Sequence, residues 1–268
     1  MIRKFTYLTR LVRLFNQKTP ELSPHEPTAK KSNNLEDQEL PLPPGASESD
    51  LHAFLRSIQV VCPPFSQNAL IDYCDQRIRR FIYTYGLIKE LEGKALELGA
   101  APYFFTILMD QFADFDLVLA NYYGQSYKED YVYQDLSYLD FYTKEMRSLK
   151  LDYHHFDIER DFFPFDDEFD LVIFCEIIEH LTMDPIFVLR EIKRVLKQDG
   201  KLILTTPNVN RYENIHKIIA GGNIYDPYSG FHGPYGRHNR EYSALELYLL
   251  LDYCGFTVDS ISTVSTPV

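Results

Sequence analysis

Several residue types and patterns are scarce in this sequence, and each scarcity argues against a class of protein. The chain of 268 residues has no Trp and only four cysteines, with no CxxC pair and no zinc spacing, so we expect reduced thiols and no metal site. No apolar run has the length of a membrane span, and the N-terminus has charges where a signal peptide would have its apolar core. Basic residues number 27 against 39 acidic ones, and the net charge of -12 argues against a nucleic-acid partner. These features together favour a cytoplasmic protein.

Composition divides the chain into three regions. Residues 1–18 are basic, with apolar residues at helical spacing, which predicts an amphipathic helix. Such a helix either docks to an anionic membrane surface or a partner, or packs on its own domain or on a second copy of the chain. Residues 19–50 are rich in Pro, Ser and charge, which predicts a flexible linker. Residues 51–268 are expected to form one domain with an N-terminal helical cover.

Strand-like and helix-like segments alternate within this third region. The apolar strand-like pieces are "KALELG", "FDLVLAN", "DYHHFDI", "FDLVIFC" and "KLILTTP". Between them lie "PYFFTILMDQF", a region around "DFYTKEMRSLK", and "DPIFVLREIKRVLK". This alternation predicts an α/β fold, a doubly wound and mostly parallel sheet with helices on both faces.

The first of these strands ends in a turn that suits a ligand. In a doubly wound sheet, ligands bind beyond the carboxyl ends of the strands. Gly99 and the small residues after it let the backbone approach such a ligand, and Glu97 suits a positive charge on it, such as an amino group or a sulfonium. The G-x-G-x-x-G loop of dinucleotide-binding proteins is not present, which disfavours a nicotinamide oxidoreductase.

Three ordered motifs between residues 94 and 264 resemble those of class I S-adenosylmethionine-dependent methyltransferases. "ALELGAAP" is similar to the glycine motif of that family, and "HFDIE" to its adenine-contacting acid motif. "FDLVIFCEIIEHLTMDPIFVLREIKRVLKQDGKLILTTPN" resembles its fourth strand, the following helix and its fifth strand. The resemblance implies a Rossmann-like methyltransferase fold, S-adenosylmethionine as cofactor, and an enzyme that transfers methyl groups.

The resemblance also concerns the end of the chain. "GFTVDSISTVSTPV" is expected to be the sixth strand, and no sequence is seen for the seventh, antiparallel strand of the family. A sheet without that strand has an open edge. Either the strand is absent, or the chain is a fragment of a longer protein, or the N-terminal part covers the edge. The open edge favours a homodimer or a fragment.

The resemblance implies cofactor contacts for individual residues. Glu97 would bind the ammonium group of the cofactor, Gly99 would lie against its amino-acid end, and Ala101 stands where the second glycine usually is. Asn121 stands where an acid usually binds the ribose hydroxyls, or is a simple turn residue. The other predicted contacts are Asp157 and Ile158 at the adenine, and Cys175 and Glu176 under the reacting methyl.

The sequence signals for residues on the acceptor side of the site are less specific. His180 is the candidate general base, or it forms a hydrogen bond within its own turn. A long segment rich in Gly, Tyr, His and Arg follows the fifth strand and predicts a structured loop over the site. The predicted substrate-binding residues are Arg211, Tyr235, His238 and Arg240. The expected reaction is methylation, on oxygen, of a small-molecule or saccharide-like acceptor; the alternative is a binding or scaffold module without turnover, which Asn121 and the poor glycine motif favour.

Overall fold

The computed structural model describes residues 39–61, 66–124, 131–225 and 236–264. The predicted amphipathic helix at 1–18 and most of the predicted linker lie outside these ranges. The described end of the linker is packed, because Leu40 and Leu42 lie against the core and Pro41 occupies the space beside Gly86. The first described helix begins at Glu48, two residues before the predicted linker boundary at residue 50.

The strands form a single sheet that is parallel at its centre. The helices are α1 (Glu48–Arg56), α2 (Gln67–Ile88), α3 (Phe104–Phe112), α4 (Pro185–Val195), α5 (Tyr212–Ile219) and α6 (Ala244–Tyr253). The strands are β1 (Gln59–Val60), β2 (Glu92–Leu98), β3 (Asp114–Asn121), β4 (Tyr131–Leu139), β5 (Met146–His155), β6 (Phe169–Cys175) and β7 (Leu196–Thr205). Their order in the sheet is β1-β4-β5-β3-β2-β6-β7. The five neighbouring strands β5, β3, β2, β6 and β7 are parallel, whereas β4 is antiparallel to both β1 and β5.

Helices cover both faces of this sheet. Ala95 belongs to a core cluster built with α1, α2 and α3, whereas the next residue, Leu96, belongs to a second cluster built with α4 and α6. Neighbouring residues of a strand point to opposite faces, so β2 is buried on both sides. Chain order reverses beside β2, since β3 lies on one side of it and β6 on the other. The predicted doubly wound α/β fold is confirmed.

Strand β4 was not predicted from the sequence. It forms an antiparallel hairpin with β5. The sequence pattern predicts only one strand, "DYHHFDI", in this part of the chain after β3. Val132, Leu136 and Tyr138 are buried at alternating positions along β4. Asp140 fixes the turn, because its carboxylate accepts hydrogen bonds from the backbone N–H groups of Tyr142 and its neighbour.

The predicted sixth strand is not formed in the described residues 256–264. Phe256 and Val258 pack against the second core cluster, but this segment forms no ladder with β7. Its apolar alternation is therefore accounted for by packing on the core. In the part of the chain that the structure describes, β7 is the last strand at that edge. No helix in the same ranges has the length and apolar character needed to cross a membrane.

Candidate active site

The turn after β2 lies where the chain order of the sheet reverses. Gly99 has a φ of +68°, and its N–H donates to the carbonyl of Ala120 at 2.8 Å. A Cβ at this position would lie 2.3 Å from Cδ1 of Ile177, which follows β6. Both the backbone conformation and the close contact with the neighbouring strand end thus require glycine here.

Glu97 is buried beneath this turn. Its side chain accepts a hydrogen bond from the Thr106 hydroxyl on α3, with 2.6 Å between Oε2 and Oγ1. Burial raises the pKa of Glu97 to about 8, although the hydrogen bond from Thr106 lowers it. The carboxyl group is therefore mostly protonated at neutral pH until a positive charge comes close to it.

Asn121, at the end of β3, is used by the same turn. Its Oδ1 accepts from the N–H of Ala101 at 2.9 Å, and its Nδ2 donates to the hydroxyl of Tyr103 at 3.1 Å. The amide is buried, so these two bonds satisfy polar atoms that water does not reach. The geometry places Asn121 in the turn, and ribose binding stays a prediction.

Asp157 follows β5 and has an unsatisfied oxygen. Its Oδ1 accepts from the N–H of Glu159 at 3.0 Å. Its Oδ2 is buried and has no hydrogen-bond partner among the described residues, but it forms an ion pair with Nε of Arg160 at 3.5 Å. Buried acceptors seldom lack a donor, so a ligand amine suits this position. Ile158 is half-buried and packs on the second core cluster.

Two predicted cofactor residues end β6. Burial raises the pKa of the Cys175 thiol to about 12, so this residue is a neutral wall of the site. Glu176 has a φ of +56°, and its carboxylate oxygens both have protein partners. Oε1 accepts from the Thr205 hydroxyl at 2.9 Å, and Oε2 lies 2.7 Å from Nη1 of Arg80.

Arg80 is a site residue that the sequence did not indicate. It lies on α2, far from the motifs in sequence, and its guanidinium is 5.5 Å and 5.1 Å from the ring centres of Tyr73 and Phe81. It also donates to the Tyr73 hydroxyl at 2.6 Å. Only 13% of its side chain is exposed, so the ion pair with Glu176 closes this side of the strand end.

A short 3-10 turn, Ile178–His180, follows β6 and carries a second buried glutamate. Glu179 is fully buried, and its Oε2 accepts from the Thr206 hydroxyl at 3.0 Å. Its Oε1 has no hydrogen-bond partner within the described ranges. Burial, and then the charge of Glu176, raise the pKa of Glu179 to about 8.

His180 and His238 meet beside this carboxylate. Their ring centres are 5.0 Å apart, and Nε2 of His180 is 4.0 Å from Oε1 of Glu179. Nδ1 of His180 lies 3.0 Å from the carbonyl oxygen of Arg237. A carbonyl only accepts, so Nδ1 is the donor and a neutral ring has its lone pair on Nε2.

Glu241 joins two of the predicted substrate residues. Its Oε1 is 2.9 Å from Nδ1 of His238 and 2.8 Å from Nη2 of Arg211, and Asn214 donates to its Oε2 at 2.7 Å. Burial alone would raise the pKa of Glu241, but the hydrogen bonds from these three side chains hold it at about 2. The Arg211 guanidinium is thus engaged inside the protein.

The other two predicted substrate residues are not part of this network. Arg240 is exposed and pairs with Glu246 at 3.1 Å. Tyr235 lies outside the described residues. Four further side chains contact the predicted site residues and were not chosen from the sequence: Arg80, Thr106, Glu179 and Glu241. Only Glu179 had a local signal, because it stands three residues after Glu176 in "EIIEHL".

Comparisons with known proteins find a family match and several similar solved structures. Residues 117–204, from β3 to β7, match the family described as "Methyltransferase domain". No protein of curated function matches the chain. Three similar solved structures are a SAM-dependent methyltransferase from Archaeoglobus fulgidus (16% identity, 69% of each chain, TM-score 0.43), the YcgJ protein from Bacillus subtilis (18%, 64% of this chain and 67% of that one, 0.41), and Haemonchus contortus phosphoethanolamine N-methyltransferase 2 in complex with S-adenosyl-L-methionine (13%, 65% and 36%, 0.38).

The fold and the strand-end carboxylates define a doubly wound domain suited to a cationic nucleoside. Residues 117–204 match a methyltransferase domain, and this match supports an S-adenosylmethionine-dependent methyltransferase with S-adenosylmethionine as its cofactor. The described residues fit that cofactor at two places. Asp157 offers a buried oxygen that has an ion pair with Arg160 but no hydrogen bond, and Glu97 offers a buried carboxyl group with a raised pKa.

Proposed function

We propose that this enzyme methylates an oxygen atom of a small-molecule or saccharide-like acceptor. One observation supports the proposal most strongly: a buried glutamate, a glycine turn and an unsatisfied aspartate stand at the carboxyl ends of β2 and β5, on either side of β3. Ligands of doubly wound sheets bind at such strand ends.

Glu97, Gly99 and Asp157 would hold the cofactor. The carboxylate of Glu97 would pair with the ammonium group, the bare backbone at Gly99 would admit the amino-acid end, and Oδ2 of Asp157 would accept from the adenine amine. When bound, S-adenosylmethionine supplies an electrophilic methyl group on its sulfonium. The protein's task is then chiefly to orient the two reactants and to exclude water.

His180 is the proposed catalytic group on the acceptor side. A hydroxyl acceptor must lose its proton as the methyl group is transferred, and Nε2 of His180 is the atom we propose to take it. The carbonyl of Arg237 fixes the ring at Nδ1. Arg211 and His238 are held by Glu241, so we propose that they shape the acceptor side as one rigid unit.

Calorimetry with S-adenosylmethionine and its demethylated product tests the cofactor site. We expect both to bind the wild type, and Glu97→Gln to weaken the binding about tenfold or more, since a charged hydrogen bond is worth about 1.5–3 kcal/mol. Glu213→Gln on the exposed side of α5 is the matched control and should bind as the wild type does. If neither ligand binds at millimolar concentration, the proposal is wrong.

A binding or scaffold module without turnover is the second candidate. It is favoured by Asn121, whose amide is engaged by Ala101 and Tyr103. Incubation of cell extract with the protein and an isotopically labelled methyl donor separates the two, because only an enzyme labels a product. A binding module would bind the cofactor and label nothing.

Location and assembly are further proposals. We propose a cytoplasmic protein that is a homodimer, with docking to an anionic membrane through residues 1–18. Liposome flotation of the full chain and of a chain lacking these residues tests the docking. Equal retention by the two proteins would exclude it, and light scattering reads the oligomeric state.

A further inference from the structure

We propose that Glu179, His180 and His238 form a binding site for one divalent transition-metal ion. Each residue offers one ligand atom, and the three atoms lie within 4.8 Å of one another. The set of two imidazoles and one carboxylate suits zinc, cobalt or iron(II) better than magnesium or calcium, which prefer oxygen ligands. The sequence predicted no metal site, because the ligands come from two distant segments.

The carboxylate is the first reason for this inference. Glu179 is fully buried, yet its Oε1 has no hydrogen-bond partner in the described part of the chain. Nε2 of His180 is 4.0 Å from that oxygen. Two ligand atoms on a metal with bonds of about 2.1 Å lie about 3.4 Å apart at a tetrahedral angle. Small side-chain rotations therefore bring the three atoms to bonding distance.

The second reason is the way in which both histidines are held. Nδ1 of His180 lies 3.0 Å from a backbone carbonyl, and Nδ1 of His238 lies 2.9 Å from a carboxylate oxygen of Glu241. Histidines that bind metals commonly donate their other N–H to such a carbonyl or carboxylate, which fixes the tautomer and the ring orientation. Both rings thus have Nε2 as the ligating atom.

The third reason is that the two segments are fastened together. The backbone N–H of Asn239 donates to the carbonyl of Glu179 at 2.7 Å, and its side-chain amide donates to the carbonyl of His180 at 2.9 Å. Glu241 is fixed in turn by Arg211. The ligands are therefore ordered before the ion arrives, as a preformed site requires.

Three protein ligands leave at least one coordination position open. If the proposed methyl transfer is correct, an acceptor hydroxyl would bind at that position and lose its proton to solvent, since a bound metal ion lowers the pKa of such a group. Nε2 of His180 would then be a ligand, and it would act as the base only in the metal-free protein. This catalytic part rests on the proposed function. Binding of the metal does not, and it can be measured without a methyl donor or an acceptor.

Cobalt(II) is the probe for the site, because its visible absorption reports the ligands. We expect the chelator-treated full chain to bind one equivalent of Co²⁺ and to release it to Zn²⁺. His180→Ala and His238→Ala should each weaken binding by at least about 100-fold, and Glu241→Gln by about 10–100-fold, as changes around a metal ligand do. His216→Ala, on α5, is the control and should bind as the wild type does.

Circular dichroism shows whether each variant is folded, and calorimetry shows whether it still binds S-adenosylmethionine. Glu179→Gln removes the charge but keeps the shape, and serves if an alanine variant does not fold. The proposal is overturned if the wild type binds no Co²⁺ or Zn²⁺, or if folded His180→Ala and His238→Ala both bind as tightly as the wild type. Metal binding without cofactor binding would contradict only the proposed function.

Discussion

Two glutamates with the same exposed fraction have pKa values that are shifted in opposite directions. One lies beneath the glycine turn, and the other lies beside the two histidines. Glu97 and Glu241 are each 5% exposed. Burial raises the pKa of Glu97 to about 8 against one hydrogen bond from Thr106, whereas three side chains outweigh the burial of Glu241 and hold its pKa at about 2. The hydrogen bonds outweigh the effect of burial at Glu241, and the single hydrogen bond at Glu97 does not. Glu241 has three side-chain partners, whereas the Thr106 hydroxyl is the side-chain donor to Glu97.

The largest expected effect is on the pH dependence of stability at Glu97. Its pKa is 4.5 in the unfolded reference and about 8 in the folded protein. Between these values the unfolded chain loses the proton and the folded one keeps it, so this group's contribution to stability falls as pH rises through the window. At about 1.4 kcal/mol per pKa unit, the loss over this window is on the order of 5 kcal/mol. Glu97→Gln should lack it.

Urea unfolding of the wild type and of Glu97→Gln at pH 5 and pH 8 checks this. The variant should gain stability relative to the wild type at the higher pH, while Glu213→Gln follows the wild type throughout. Parallel profiles for all three proteins would show that Glu97 ionises normally. The contrast with Glu241 would then be lost.

The second prediction removes a partner from the Glu241 network. Arg211→Ala should cost about 3 kcal/mol, because it takes a charged donor from a buried carboxylate. Arg240→Ala removes an exposed ion pair and should cost less than about 1 kcal/mol. Thermal unfolding measures both.

The affinity of the Arg211→Ala protein for S-adenosylmethionine is a second measurement. Arg211 lies in the Glu241 network and not at the glycine turn, so folded Arg211→Ala should bind S-adenosylmethionine as the wild type does. Unchanged stability would mean that the network is not what holds Glu241. Weakened cofactor binding would mean that the two regions are coupled.

The core of the fold followed from local patterns. Strands β2, β3, β6 and β7 and the helices between them have apolar sequences and clear turns, so their existence and order could be predicted. Strand β4 alternates in the same way, but it lies between β1 and β5 and forms a hairpin with β5, and the sequence did not reveal this pairing. Residues 256–264 alternate too, and they pack on the core without pairing.

Some residues of the candidate site could likewise be predicted from the sequence, and others could not. Glu97, Gly99 and Asp157 stand at strand ends, where the fold itself brings residues together, so they could be chosen from the sequence. Arg80, Thr106 and the contacts of Asn121 depend on which side chains meet across the structure. No spacing in the sequence records that Asn121 holds the turn through Ala101.

The third prediction tests that turn. Asn121→Ala removes two hydrogen bonds, to Ala101 and Tyr103, and should destabilise the protein by about 2 kcal/mol. Asn210→Ala, at an exposed position, should have little effect. Chemical unfolding measures the difference, and calorimetry shows whether a looser turn also weakens cofactor binding. Equal stability of the two variants would leave Asn121 available for the ribose.

The smallest effect is expected at the one donor that Glu97 has. Thr106→Val keeps the shape of the side chain but removes the hydroxyl that lies 2.6 Å from the carboxyl oxygen. The hydrogen bond lowers the pKa of Glu97, so its loss should raise that pKa further, by about one unit for a bond worth about 1 kcal/mol. Binding of S-adenosylmethionine would then need a higher pH, because the ammonium group requires the ionised carboxylate.

The pH dependence of cofactor affinity, measured by calorimetry, detects this change. The affinity should level off at a pH about one unit higher in Thr106→Val than in the wild type. Thr106→Ser keeps a hydroxyl and should restore the wild-type curve. If all three curves coincide, the hydroxyl has no influence on the charge of Glu97. The difference in pKa between Glu97 and Glu241 would then come from burial at Glu97, and not from the number of hydrogen-bond donors.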